Sequence, residues 1–241
     1  MTSTVALVVG AGDATGGAIA RRFAHEGMTA VVVRRTAAAL EPLVTAIEAE
    51  GGRAVAMATD ARDEDAMVAL VDRIEADVGP ITVAVFNVGA NVPCPIRDET
   101  ARKYRKIWEL AALGGFLTGR EAARVMVPRG VGTMLFTGAT ASLRGGANFA
   151  AFAGAKHALR ALAQSMAREL GPLGVHVAHI VVDGAIDTDF IRTNFPARYA
   201  AKAEDGILSP DHIADAYWFL HAQPRDAWTH ELDLRPWTET F

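Results

Sequence analysis

The sequence predicts an α/β fold in which about seven parallel strands form a doubly wound sheet with helices on both faces. Short, β-branched and nearly continuously apolar runs alternate with helix-length segments along the chain. Such runs are typical of strands that are buried on both faces of a parallel sheet. Repeated strand–helix units then place the connecting helices on the two faces.

The predicted elements have recognisable boundaries. Asp63 and Ser209 stand where helix N-caps are expected, and glycines follow several of the helical patterns. The predicted strands are 5–9, 30–33, 54–57, 83–87, 133–137, 175–182 and 230–234, and the main helices are 16–26, 37–50, 63–78, 99–127 and 149–170.

Length and composition predict one domain that spans residues 1–241. A chain of 241 residues that is 51% hydrophobic suits one sizeable core, and its net charge of −4 gives no reason to expect a nucleic-acid or membrane partner. The single cysteine, Cys94, rules out an internal disulfide and fits a reducing compartment. No apolar run approaches the ~20 residues that span a bilayer. We expect a cytoplasmic location and no metal site.

A glycine-rich turn follows the first strand, where a doubly wound sheet places its phosphate-binding loop. Glycines let main-chain N–H groups approach a pyrophosphate at a helix N-terminus. The alternative is a tight turn without a ligand. The candidate cofactor-binding residues in this turn are Gly10, Gly12, Asp13, Ala14, Thr15 and Gly16.

The second predicted strand ends in Arg34 and Arg35. An acidic residue at this point would hold an adenosine ribose and favour NAD(H), whereas arginine accommodates a 2′-phosphate. The alternative is a solvated basic pair. We therefore expect NADP(H) to be favoured over NAD(H).

A second informative segment runs from Thr137 to Lys156. It combines a strand end, a glycine-punctuated loop and a helix that is predicted to start near Asn148. Phe152 and Lys156 are four residues apart, so both side chains project from one face of that helix. A solvated helix lysine is the simpler alternative for Lys156.

Together these segments resemble the short-chain dehydrogenase/reductase family, whose Rossmann-type domain binds a nicotinamide dinucleotide. The family has Tyr-x-x-x-Lys, a serine thirteen residues before the tyrosine, and an asparagine in its proton relay. Those positions are Phe152, Lys156, Ala139 and Ala112 here. The resemblance implies an atypical member in which the lysine remains and the other three polar groups are absent.

The resemblance also implies further cofactor contacts after later strands. Asp60 and the neighbouring Ala61 match the adenine-contacting position, although Asp60 could instead be a loop cap. Lys156 would contact the ribose. The remaining implied contacts are Asn87, Val88, Gly89, Gly184, Ile186 and Thr188.

Asp183 replaces a proline of the family pattern and is a candidate catalytic group together with Lys156, Phe152 and Ala139. It could equally be a cap for its loop. Residues 189–208 match the insert that covers the substrate in the family, and the alternative is an ordinary pair of surface helices.

Three functions are compatible with these residues. The first is an oxidoreductase for a small carbonyl, alcohol or enone compound with a non-standard proton relay. The second is a catalytically inactive nucleotide-binding sensor or partner subunit, and the third is a lyase or isomerase with Asp183 as base.

Exposed aromatic residues predict a homodimer or homotetramer. They are Trp228, Trp237 and Phe241. Substitute proton donors would come from Thr140, Ser142, Asn148, Asp183, Asn91 and Tyr199.

Overall fold

A single seven-stranded, all-parallel sheet runs through the computed structural model, which describes residues 4–89 and 91–240. The strand order is β3-β2-β1-β4-β5-β6-β7, and helices cover both faces. This confirms the predicted fold class. The strands are β1 Val5–Val9, β2 Thr29–Arg34, β3 Arg53–Ala58, β4 Ile81–Phe86, β5 Gly132–Thr137, β6 Val175–Val182 and β7 Glu231–Leu234.

The α-helices alternate with these strands, as the sequence predicts. They are α1 Thr15–His25, α2 Glu41–Ala49, α3 Glu64–Asp77, α4 Ala101–Trp108, α5 Gly114–Met126, α6 Ala150–Leu170, α7 Asp189–Asn194, α8 Pro196–Tyr199 and α9 Pro210–His221. Short 3₁₀ segments add to them at Ala37–Leu40, Val127–Arg129, Thr140–Ser142, Gly171–Leu173 and Ala200–Glu204.

Two predicted helices differ from the observed ones. The helix predicted for 99–127 is divided into α4 and α5 by a π-helical segment, Glu109–Leu113, which contains the buried Ala112. The helix predicted to start near Asn148 begins two residues later, because Asn148 has a φ of 70°. That left-handed conformation cannot belong to a right-handed helix.

Alternate residues of each strand feed two apolar layers. In β1, Ala6 and Val8 pack towards α1 and α9, whereas Leu7 and Val9 pack towards α3, α5 and α6. All five residues of β1 are buried. The continuous apolar runs in the sequence therefore reflect strands that contribute to both layers.

The order of the strands places a crevice between β1 and β4. β1 pairs with β2 on one side and with β4 on the other, so the connections leave this point in opposite directions. Ligands of open α/β sheets bind outside the carboxyl ends of the strands at such a point. The loops after β1, β4, β5 and β6 converge here.

The described parts of the chain, residues 4–89 and 91–240, contain no helix that is long and apolar enough to cross a membrane. The same residues contain no cluster of three or more histidine, cysteine or acidic side chains that could hold a metal ion.

The aromatic residues expected at a subunit interface behave differently from one another. Trp237 is 78% exposed, whereas Trp228 is half-buried and stacks on His176 with ring centroids 4.9 Å apart. Phe241 lies outside the described residues. A homo-oligomer stays a prediction.

Candidate active site

The turn after β1 depends on glycine at its first and last positions. Gly10 has a φ of 90°, and a Cβ there would lie 2.8 Å from the main-chain carbon of Asn87. A Cβ at Gly16 would lie 2.5 Å from the Gly10 carbonyl oxygen. The Asn87 side-chain amide donates a hydrogen bond to that same oxygen over 3.2 Å. The turn is therefore closely packed against the end of β4.

The opposite side of the turn is open. A Cβ added at Gly12 would have no atom within 4 Å, and the neighbouring Asp13 is exposed. Helix α1 begins at Thr15, with Ala14 at its N-cap and no acidic residue in its first turn. Free main-chain N–H groups at such a helix start attract phosphate. These residues fit the pyrophosphate of a dinucleotide.

The ends of β2 and β3 form a second charged region. Arg34 and Arg35 are both exposed. The Asp60 carboxylate accepts hydrogen bonds from the main-chain N–H and the Nε of Arg62, over 3.1 and 3.0 Å. The Arg62 guanidinium, with a smaller contribution from the charge of Arg35, lowers the pKa of Asp60. Ala61 packs between this loop and the layer under α5.

Lys156 is buried at the carboxyl edge of the sheet and is 3% exposed. Its ammonium group donates to the carbonyl oxygen of Thr137 over 2.7 Å and to that of Val88 over 3.3 Å. Burial lowers the pKa of Lys156 from its ordinary value of 10.5 to about 8. Two of its three N–H bonds are used by these carbonyls, and the third can reach a ligand.

Lys156 lies at a cavity of about 490 Å³ that joins the glycine turn to the loops after β4, β5 and β6. The size suits a small molecule or part of a larger one. The residues that line this cavity are Thr15, Asn87, Gly89, Asn91, Thr137, Gly138, Ala139, Thr140, Ala141, Arg144, Gly145, Gly146, Phe149, Phe152, Lys156, Val182, Gly184, Ile186, Arg198 and Glu239. The sequence-predicted residues Ala139, Phe152, Gly184 and Ile186 are thereby brought together with Lys156.

The wall of the cavity next to Lys156 is apolar. Phe152 is 7% exposed, and the lysine nitrogen lies 5.9 Å from the centre of its ring. Ala139 shares this wall, and its main-chain N–H donates to the hydroxyl of buried Ser142 over 3.1 Å. Phe152 and Ala139 have no side-chain proton to exchange, so neither side chain can donate a proton to a ligand.

Asp183 is 1% exposed and lies behind the cavity wall. Its carboxylate accepts a hydrogen bond from the Thr140 hydroxyl, and its second oxygen lies 3.4 Å from the Arg235 guanidinium and 4.0 Å from that of Arg144. The catalytic role predicted for Asp183 stays a prediction. Its contacts connect β6 with the loop after β5 and with the residues after β7.

The residues after β6 connect the cavity to the predicted lid. Ile186 forms a parallel bridge with Leu208, and the Thr188 hydroxyl accepts a hydrogen bond from Ile191 as the N-cap of α7. Among the substitute proton donors, Tyr199 lies beside Asp187, and Lys202 and, to a smaller extent, Tyr199 lower the pKa of that carboxylate. Thr140 and Asn91 do line the cavity.

Sequence reasoning missed the part played by the residues after β7. Pro236 lies against Gly184, which has a φ of 140°, so closely that a Cβ at Gly184 would be 2.7 Å from the proline ring. Glu239 lines the cavity, and Trp237 donates to the Glu204 carbonyl oxygen over 2.9 Å. We call residues 235–240 the C-terminal strap. Its sequence has no pattern that predicts these contacts.

Sequence reasoning also missed a group of buried polar residues around His179, which lies under the loop after β5. His179 is fully buried, and its Nδ1 lies 3.1 Å from the carboxylate of Glu231, which accepts two hydrogen bonds of 2.6 Å from Arg160. Burial lowers the pKa of His179 to about 4, so the ring is neutral at physiological pH. A Cβ at Gly138 would lie 2.4 Å from the His179 ring. The His179 ring therefore leaves no room for a side chain at Gly138, the first residue of this loop.

The strand order, the glycine turn and the buried lysine at one sheet edge define a protein of the Rossmann-type class. The chain belongs to the short-chain dehydrogenase family, since the model of that family matches residues 4–198. It is 32% identical to cis-4-hydroxycyclohexanecarboxylate dehydrogenase of Sinomonas cyclohexanicum over 221 aligned residues. This alignment covers 90% of this chain and 88% of the relative.

Solved structures agree with this family. A short-chain dehydrogenase from Rhodopseudomonas palustris has 48% sequence identity and a TM-score of 0.84, covering 98% of this chain and all of the other. A metagenomic short-chain oxidoreductase in complex with NADP has 26% identity and a TM-score of 0.83, covering 99% of both chains. Members of this family bind nicotinamide dinucleotides, and the chain is of the oxidoreductase type.

The glycine turn gives a matched pair of substitutions. Gly10→Ala forces a side chain into the left-handed region and against Asn87, so it should lower the free energy of unfolding by about 2 kcal/mol or more. Gly12→Ala meets no neighbour and should change that free energy by less than about 0.5 kcal/mol. It should instead weaken dinucleotide binding, because its methyl group enters the open side of the turn.

Urea denaturation and fluorescence titration with NADPH measure the two effects separately. Equal losses of stability in the two variants, or unchanged NADPH affinity in Gly12→Ala, would contradict this description of the turn.

Proposed function

We propose that this chain is an NADP(H)-dependent oxidoreductase that transfers hydride to or from a small carbonyl, alcohol or enone compound through a non-standard proton relay. The observation that carries the proposal is the cavity in which Lys156, Phe152 and Ala139 meet the glycine turn. The related cis-4-hydroxycyclohexanecarboxylate dehydrogenase, which by its name oxidises a small alcohol, supports this reaction class.

In this proposal the protein is a single domain with residues 189–208 as a substrate lid. It is an atypical family member, because Phe152, Ala139 and Ala112 stand at the positions of the tyrosine, serine and asparagine. Losing a positioned general acid typically costs ~10²–10⁴ in rate. A group that replaces the tyrosine would therefore have a large effect on turnover.

Lys156 is the acid that the geometry favours. It is the one cavity-lining group in the described chain whose pKa, about 8, lies close to neutrality. A general acid works best when its pKa is near the operating pH. Its ammonium group is oriented by the carbonyl oxygens of Thr137 and Val88.

The proposed reaction balances with one hydride and one proton. A nicotinamide dinucleotide, when bound, would supply or accept the hydride. In the direction of reduction, Lys156 donates a proton to the carbonyl oxygen as the hydride reaches the carbonyl carbon, and water then returns a proton to the amine. Apolar Phe152 and Ala139 exclude competing hydrogen-bond partners from the wall beside this oxygen.

The preference for NADP(H) rests on Arg34 and Arg35, which are exposed at the end of β2 with no carboxylate beside them on that strand end. Arg35→Gln should raise the Kd for NADPH roughly ten-fold and leave the Kd for NADH unchanged, because only NADPH carries the 2′-phosphate. The control is Arg53→Gln, which replaces an exposed arginine at the first position of β3. Equal losses of affinity for both dinucleotides would contradict the preference.

Phe152→Tyr tests where the reacting carbonyl lies. The added hydroxyl would supply a second acid beside Lys156, and turnover of a ketone should rise roughly 10-fold to 100-fold. Phe149→Tyr is the matched control, since Phe149 lines the same cavity and the change adds the same hydroxyl elsewhere on its wall. The measurement is transfer of deuterium from stereospecifically labelled NADPH to the product.

Unchanged turnover in Phe152→Tyr would show that position 152 does not face the reacting carbonyl. Binding of NADPH by the wild-type protein without label transfer to any ketone or enone would instead support the nucleotide-binding sensor. Exchange of a substrate proton with solvent, without oxidation of the dinucleotide, would identify a lyase or isomerase.

The pKa of Lys156 predicts the pH dependence of the reaction. Reduction needs the protonated amine, so kcat/KM for the ketone should be level below pH about 8 and fall about ten-fold per pH unit above it. Oxidation of the alcohol should show the opposite trend and rise towards pH 8. Arginine stays charged over this range, so in Lys156→Arg the value of kcat/KM should no longer fall above pH 8. If kcat/KM still falls above pH 8 in Lys156→Arg, Lys156 is excluded as the acid.

A further inference from the structure

We infer that the substrate carries a carboxylate, which Arg144 and Arg198 bind at the mouth of the cavity while the carbonyl lies at Lys156. This inference rests on the proposed function and specifies its substrate class. It follows from the charges that line the cavity, from the contacts of the two arginines, and from the position of Glu239.

The cavity wall has an excess of positive charge. Arg144, Lys156 and Arg198 line it, and Glu239 is the one acidic side chain on it among the described residues. Three cations and one anion give a net charge of +2 on the wall. Asp183 lies behind the wall, 3.4 Å from Arg235 and 4.0 Å from Arg144, and is not counted in this sum because it does not line the cavity.

The two arginines come from different elements and reach the same space. Arg144 belongs to the loop after β5, and Arg198 belongs to α8. Their side chains are 47% and 60% exposed, so each guanidinium is accessible. Two planar guanidinium groups on one rim are well suited to a carboxylate, which they can bind with paired N–H···O hydrogen bonds.

Neither guanidinium is held tightly within the protein. Arg144 donates to the Thr240 carbonyl oxygen over 3.3 Å and lies 4.0 Å from Asp183. Arg198 lies 3.7 Å from the Glu239 carboxylate. An ion pair of this length on the surface, such as Arg198–Glu239, contributes little to stability and is easily exchanged.

Glu239 occupies the position that a substrate carboxylate would take. It comes from the C-terminal strap, is 22% exposed, and places its carboxylate beside Arg198 on the cavity wall. A substrate carboxylate would compete with Glu239 for Arg198. Removal of the Glu239 charge should therefore strengthen substrate binding, and removal of the Arg198 charge should weaken it.

The two arginines belong to other elements than the glycine turn and the Arg34–Arg35 pair. The glycine turn and the Arg34–Arg35 pair follow β1 and β2, whereas Arg144 and Arg198 follow β5 and β6. If they served the dinucleotide instead, Arg198→Gln would raise the Kd for NADPH. That outcome would overturn the inference.

The test compares 4-oxocyclohexanecarboxylate with its methyl ester, which has the same ring and ketone without the charge. The acid should have the lower KM in the wild-type protein. Arg144→Gln and Arg198→Gln should each raise the KM of the acid roughly ten-fold or more, and Glu239→Gln should lower it roughly two- to five-fold. The KM of the ester should change several-fold less than that of the acid in each variant, and the Kd for NADPH should not change.

Arg192→Gln is the matched control. Arg192 is an exposed arginine on α7 that pairs with Asp189 at 2.8 Å and does not line the cavity. An increase in the KM of the acid in this control equal to that in Arg198→Gln would show a general effect of charge and would overturn the inference. So would equal changes for acid and ester.

A binding experiment separates failure of this inference from failure of the proposed function. Isothermal titration of the wild-type protein and of Glu239→Gln, with NADPH present, compares cyclohexanecarboxylate with cyclohexanecarboxamide. If no ketone is reduced, the proposed function fails, but tighter binding of the carboxylate and a further gain in Glu239→Gln still support the anion site. Equal binding of the two compounds, or no binding of either at about 10 mM, overturns it.

Discussion

The buried ammonium group of Lys156 joins the two halves of this molecule. It donates to Val88 after β4 and to Thr137 at the end of β5, and the residue before Val88, Asn87, donates in turn to Gly10. These hydrogen bonds form a continuous path from the glycine turn to helix α6. The Thr137 hydroxyl extends the path to the Tyr217 hydroxyl, 2.6 Å away. The geometry of the glycine turn and of the cavity depends on a cation that has no carboxylate partner among residues 4–89 and 91–240.

That arrangement explains the chemistry available at the site. Desolvation disfavours the charged form of an amine, and carbonyl dipoles compensate for it only in part, so the pKa of Lys156 falls towards neutrality. Apolar Phe152 and Ala139 keep the surrounding wall free of other acids. The same burial that makes Lys156 a structural link therefore also lowers its pKa into the range that the proposed acid needs.

Much of the fold could be predicted from the sequence because buried parallel strands and glycine turns leave local signals. The apolar runs gave the strands to within a few residues, and the four-residue spacing placed Phe152 and Lys156 on one helix face. Local signals could not show the π-helical segment around Ala112, where the helical pattern continues without a break. They also could not show the partners of Asp183 and Glu239, because those contacts join residues far apart in the chain.

The C-terminal strap has a consequence for biosynthesis. The glycine turn and the Asn87 side chain that bonds to it precede β5 in the chain, so they can form while later residues are still being synthesised. The mouth of the cavity needs Pro236 against Gly184 and Glu239 beside Arg198, and Pro236 and Glu239 are synthesised after the glycine turn and after β7. A nascent chain can therefore assemble the glycine turn before the mouth of the cavity exists.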